Sequence, residues 1–237
     1  MNFFDRLSDY DVFAYLPQGF LVLAAIDYLV GTNFVLNANW DVTKGLLVVF
    51  VAYIAGHIAA SPSSAILERW LVAKYLKPPS INLLSLKKYK LATRLFFSDY
   101  YTPLKDPLRS DVLKKLNLTT VGGIDGERIF WTTYPVATKD EYARTRMATF
   151  LNLYGFCRNV SFIAGTVALL LLVQTIWMKV VDGYYIDIER IEVAIALVIV
   201  AFAMFQRYLK FFRLYSVEVF KAFAQLTPIP LDRPGSP

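Results

Sequence analysis

Two ionisable side chains stand inside apolar runs and could do chemistry there: Asp27, in FLVLAAIDYLV, and His57, the single histidine, in VAYIAGHIAA. A carboxylate carried into lipid costs about 2.5 to 3.5 kcal/mol on insertion scales, so Asp27 must be paired, protonated or turned toward a cavity. Its functional readings are a pore-lining acid that favours cations, or a group that switches on protonation. Its structural reading is a hydrogen-bonded carboxyl that fastens one helix to a neighbour. His57 has the same two faces: a partner for Asp27, or a neutral ring bonded to a carbonyl or serine. With a rise of 1.5 Å per residue on adjacent antiparallel spans, the two fall within about one helical turn in height, so contact between them is open.

A second set of candidates is basic. Lys87, Lys88 and Lys90 flank Tyr89, Arg94 follows, and Arg144, Arg146 and Arg158 could add to them from a later helix. Cations interleaved with aromatics suit phosphate contacts beside stacking platforms. Attraction to an anionic leaflet, at about 1 kcal/mol per charge, accounts for the same residues. Catalysis finds no constellation: Ser61-Pro62-Ser63 is not a nucleophile elbow, and the glycines from Gly122 to Gly126 fit neither a P-loop nor a dinucleotide fingerprint. A lone cysteine, Cys157, excludes an internal disulfide, and with one histidine it excludes a Cys/His zinc cluster. The chain is therefore expected not to be an enzyme and to need no metal or cofactor.

These residues must be held by helices that cross a membrane. The chain is 56% hydrophobic with a mean hydropathy of +0.43, too apolar for an ordinary soluble domain, yet 19% of its residues are charged. Apolar runs predict span one over residues 12–36, with Pro17 and Gly19 near its start, where Pro17 either opens the helix or kinks it, and span two from about Gly45 to Pro62, where Pro62 and its serines mark a bend or the exit from the bilayer. In span two Ala52, Gly56, Ala60 and Ser64 recur every four residues, the small-xxx-small pattern that lets helices approach in lipid. Span three, Val160 to Met178, carries Ser161 and Gly165 as another small pair, and span four, Val193 to Gln206, is short for a hydrocarbon layer of about 30 Å. The expected organisation is an interfacial helix over 1–11, a transmembrane hairpin over 12–67, a basic cytoplasmic subdomain over 68–158, a second hairpin over 159–206, and an amphipathic helix with a tail over 207–237. No cleavable signal peptide is expected, because Asp5, Asp9 and Asp11 precede the first apolar run.

Residues 68–158 hold sixteen Lys or Arg against eight Asp or Glu, a net of +8 where the whole chain carries +6. With a neutral first turn and an acidic second loop, the positive-inside rule puts both termini and this segment in the cytoplasm. Within it, Asp106-Pro107 reads as an N-cap with proline at the first helical position, and Thr138 to Glu141 as a capping box that opens a helix unbroken into span three. RIFWTTYPVA reads as a strand or extended segment. The fold class is thus mainly α: a four-helix membrane bundle with an inserted α or α+β subdomain.

Tyr15-Leu16-Pro17-Gln18-Gly19, Gly56-His57, Arg158-Asn159 and the run Arg213 to Glu218 give the chain a resemblance to bacterial four-span membrane effectors of antiphage defence, nearest in type to the Hailong channel effector. The resemblance implies an oligomeric ion channel in the bacterial inner membrane, controlled by an oligonucleotide from a partner nucleotidyltransferase. It carries over no catalytic or ligand residue. The alternative expectation is a non-conducting membrane scaffold that recruits a cytosolic enzyme. The partners implied are membrane lipids, further copies of the chain, an anionic nucleotide or oligonucleotide, and a cytosolic enzyme.

Overall fold

The structure is a computed structural model that describes residues 9–32, 35, 41–85, 97–116, 118, 125–181 and 187–226. It is mainly helical, with no strand among the described residues. In chain order the helices are α1 (Asp9–Val30), α2 (Val42–Ser63), a π-helical segment (Ser64–Leu76), α3 (Pro79–Leu84), α4 (Asp106–Lys115), α5 (Asp125–Ala137), α6 (Glu141–Val181) and α7 (Ile188–Leu226). Two stretches, one within Val42–Leu84 and one within Glu141–Val181, are long and apolar enough to cross a membrane.

Helix α1 stops at Val30, short of the expected 36. Gly31 takes the left-handed conformation (φ 74°), and its N–H and that of Thr32 return to the Asp27 carbonyl. A glycine there closes a helix at no steric cost. Of the interfacial helix expected over 1–11, only the last three residues are described, and they already belong to α1. Asp41 caps α2, its carboxylate accepting from the Lys44 N–H at 2.6 Å. The helix runs on past Pro62 rather than ending there. The chain continues through Ser64 in the wider i→i+5 register, a form found where the ordinary ladder is interrupted.

Contacts divide the chain into two units, the first drawn from residues 1–72 and 152–208, the second from 73–151 and 209–237. In the first, α1 and α2 run antiparallel at very close approach. A Cβ added to Gly19 would collide with the Ala52 carbonyl, and one added to Gly56 with the Tyr15 carbonyl. Between α6 and α7 the Ser161 hydroxyl donates to the Ala201 carbonyl at 2.8 Å, and Gly165 faces the Ala201 methyl. Ala168, Leu171 and Ala194 make a small apolar cluster, joined by Leu29 of α1. The outside of this unit is apolar: Leu46, Phe50, Ile58, Leu169, Ile176 and Ile199 are each more than 60% exposed.

The second unit has a conventional interior, with Leu83, Leu84, Val112, Phe130, Val219 and Phe220 at its centre. Its α5 corrects the strand expected over RIFWTTYPVA, and with it the α+β alternative. The local residues favour a strand, but Ile129, Phe130, Thr133 and Ala137 are the buried ones, and their spacing is that of a helix face. Pro135 is tolerated because it lies on the exposed side. Asp125 and Gly126, at the end of the glycine run, belong to α5, where Gly126 sits against the backbone of Ile81. The capping box at α6 is also different from expectation: Asp140, not Thr138, caps the helix by accepting from the Ala143 N–H at 2.8 Å. Thr138 instead donates to the Pro135 carbonyl. At α4, Lys105 is the capping residue and Asp106 lies inside the first turn.

Candidate functional site

Inside the first unit the structure assembles six polar side chains from four elements: Gln18 of α1, Ser63 of α2, Ser64 and Glu68 of the π-helical segment, and Arg158 and Asn159 of α6. Arg158 of α6 pairs with Glu68 of the π-helical segment. Its Nε donates to Asn159 Oδ1 at 3.2 Å, and the same oxygen accepts from the Ser63 hydroxyl at 2.7 Å. Asn159 Nδ2 donates to Gln18 Oε1 on α1 at 2.8 Å. Ser64 adds a longer hydroxyl contact to Glu68, at 3.4 Å. The orientation of every amide follows from Arg158. A guanidinium only donates, so Asn159 must turn its oxygen toward it, and its nitrogen therefore faces Gln18. Gln18 answers with its oxygen. Its own Nε2 is left buried with no acceptor among the described residues.

The local sequence explains how these groups meet. Ser63 lies seven residues after Gly56, two turns along the same face of α2, the face that glycine holds against α1. Gln18 adjoins Gly19, so the close helix approach draws its side chain into the interior, where it is fully buried. Arg158 lies over the Tyr154 ring, one turn back on α6, at 6.0 Å. The ladder thus places one cation and one anion side by side among apolar helices, and ends in a free N–H donor.

Asp27 and His57 are not brought together. His57 stacks on Tyr15, ring centroids 3.9 Å apart, and meets Tyr53 edge-on at 4.6 Å. Twelve residues of helix α1 separate Tyr15 from Asp27, about 18 Å at 1.5 Å per residue, so the expected pairing fails on height. Asp27 lies in the last turn of α1 rather than at mid-span. It is buried, and its carboxylate accepts from the Thr32 hydroxyl and, at 2.8 Å, from the Val35 N–H. His57 is on the outer surface of the unit.

The small residues of α2 are used inside the chain. Ala52 and Gly56 are buried against α1, while Ala60 and Ser64 are partly covered. Among the basic candidates, Lys87, Lys88, Lys90 and Arg94 lie outside the described residues. Arg144 is exposed and near Glu141 at 3.9 Å, and Arg146 pairs with Glu218 at 3.2 Å and lies over the Tyr142 and Phe150 rings. Arg158 does not belong with them, because its charge is spent on Glu68 in the interior of the other unit. Sequence reading singled out neither Glu68 nor Ser63 as a site residue, and it had Gln18 and Asn159 only in motifs. The available signal was their polarity within or beside otherwise apolar runs. An apolar cavity of about 180 Å³, lined by Val22, Ile26, Ala59, Phe162, Ile163 and Leu170 among others, also lies in this unit.

Comparison of the chain with protein families, curated proteins and solved structures finds no match.

Proposed function

We propose that the protein is a multi-pass protein of a bacterial inner membrane, crossing four times with both termini in the cytoplasm, and that it acts as an oligomeric channel or pore-like effector. The observation that carries this reading is the distribution of polarity in the first unit: apolar side chains outside, a charged and amide ladder within. A water-soluble protein arranges these the other way. Charges retained among membrane helices mark functional paths more often than they serve stability. In this reading the basic segment from Lys87 to Arg94 receives an anionic nucleotide or oligonucleotide, and the activity serves antiphage defence.

Ion flux through liposomes that contain the purified protein tests the proposal, with wild type beside Asn159→Leu and Asp27→Asn. Flux in the wild type that changes in Asn159→Leu supports conduction past the ladder. No flux from any of them, with or without added oligonucleotide, overturns it. A second reading, the non-conducting scaffold for a cytosolic enzyme, is favoured by one observation: Asp27 and His57 are each engaged at separate heights and share no path. That reading expects a stoichiometric protein partner on purification and silent liposomes.

A further inference from the structure

Three features of the ladder each cost stability. Glu68 and Arg158 have side chains only 29% and 11% exposed, and such a pair returns less than two well-packed apolar residues would. The segment that carries Glu68 holds the i→i+5 register from Ser64 to Leu76, whereas that register otherwise appears mostly as single-turn bulges and at functional sites. Gln18 Nε2 is buried without an acceptor among the described residues, although an apolar side chain there would leave nothing unsatisfied. None of the three is needed to join α1 to α2, which Gly19 and Gly56 already do. Costs that converge on one cluster call for a role beyond holding helices together.

We infer that the Glu68–Arg158 pair is a latch, which holds residues 64–72 in the π register and locks α6 to α1 through Asn159 and Gln18. Release lets this stretch return to the tighter α turn. Each residue is then carried further round the axis, so Glu68 no longer faces Arg158. Arg158, left without its anion, draws away from Asn159, and the bonds from Asn159 to Ser63 and Gln18 part with it. The freed Gln18 amide can then take water at both ends. The latch is independent of conduction: it states what the first unit does when the pair breaks, whether or not ions pass.

Hydrogen exchange of the full chain in phospholipid nanodiscs tests it, read in peptides covering 64–72 and 152–160, with α4 as an internal reference. In Glu68→Gln and Arg158→Gln those peptides should exchange roughly tenfold faster or more, since breaking a buried pair lowers the cost of local opening, while α4 keeps its rate. The exchanged pair Glu68→Arg with Arg158→Glu should return both peptides to wild-type rates. Single variants that exchange like wild type overturn the latch, and so does a double variant as fast as the singles. Should a single variant unfold throughout, α4 will accelerate too, and recovery in the double variant decides the matter. Expected exchange with silent liposomes would sink the channel reading and leave the latch standing.

Discussion

At the scale of single residues, Gly19 and Gly56 set the geometry on which everything in the first unit depends. Neither glycine is there for its backbone freedom; both are there because a neighbouring carbonyl occupies the space of a Cβ. Gly56→Leu and Gly19→Ala should therefore force α1 from α2 and destabilise the protein by about 1 to 3 kcal/mol, the usual cost of overpacking. Thermal unfolding of the monomer in detergent measures this. An unchanged midpoint for both variants would show that the helices do not approach as described. Of the repeat Ala52, Gly56, Ala60 and Ser64, the first two lie buried against α1. What their spacing could not say was which helix they meet. The answer is a helix of the same chain, so loss of oligomer alone is not the expected effect.

Among the elements, the ends of helices were harder to read than their existence. Thr138 and Glu141 have the spacing of a capping box, but Asp140 stands between them and is the better acceptor at the position the helix uses. Asp140→Ala should cost about 1 kcal/mol of stability in the second unit, and Thr138→Ala much less. Faster exchange of the Ala143 amide in the first variant but not the second is the corresponding measurement. Equal effects would return the cap to Thr138. Helix α5 was misread for a related reason. Ile129, Phe130, Trp131, Thr132, Thr133 and Tyr134 are strand formers one by one, and a short apolar run does not distinguish strand from helix until its buried face is known. The π-helical segment has no sequence signature beyond Pro62 and the serines beside it.

Taken whole, the chain divides its apolar residues in two opposite ways. In the first unit they face outward and the polar ladder is inside; in the second, Phe130 and Phe220 are interior, and among the described residues charges such as Arg144 and Arg146 are at the surface or paired. Arg213 is the exception there: burial lowers its pKa from the ordinary guanidinium value, Asp99 opposes the shift, and the group donates to the Thr102 carbonyl at 3.0 Å. The composition alone pointed to an apolar part and a polar part. The ladder itself was hidden, because Gln18 and Asn159 are separated by 141 residues and Glu68 and Arg158 by 90, and no local pattern links groups so far apart. This division predicts two separable failures. Phe220→Ala removes a fully buried ring from the second unit and should destabilise that unit by about 3 to 5 kcal/mol. It should leave retention in the membrane unchanged, because the outward apolar faces of α2, α6 and α7 in the first unit do not depend on that ring. Washing membranes with alkaline carbonate, then extracting them with detergent, measures retention, and limited proteolysis of the same membranes measures the second unit. A wild-type protein that the alkaline wash releases would mean that those faces meet protein rather than lipid, and the four-span reading would go with them.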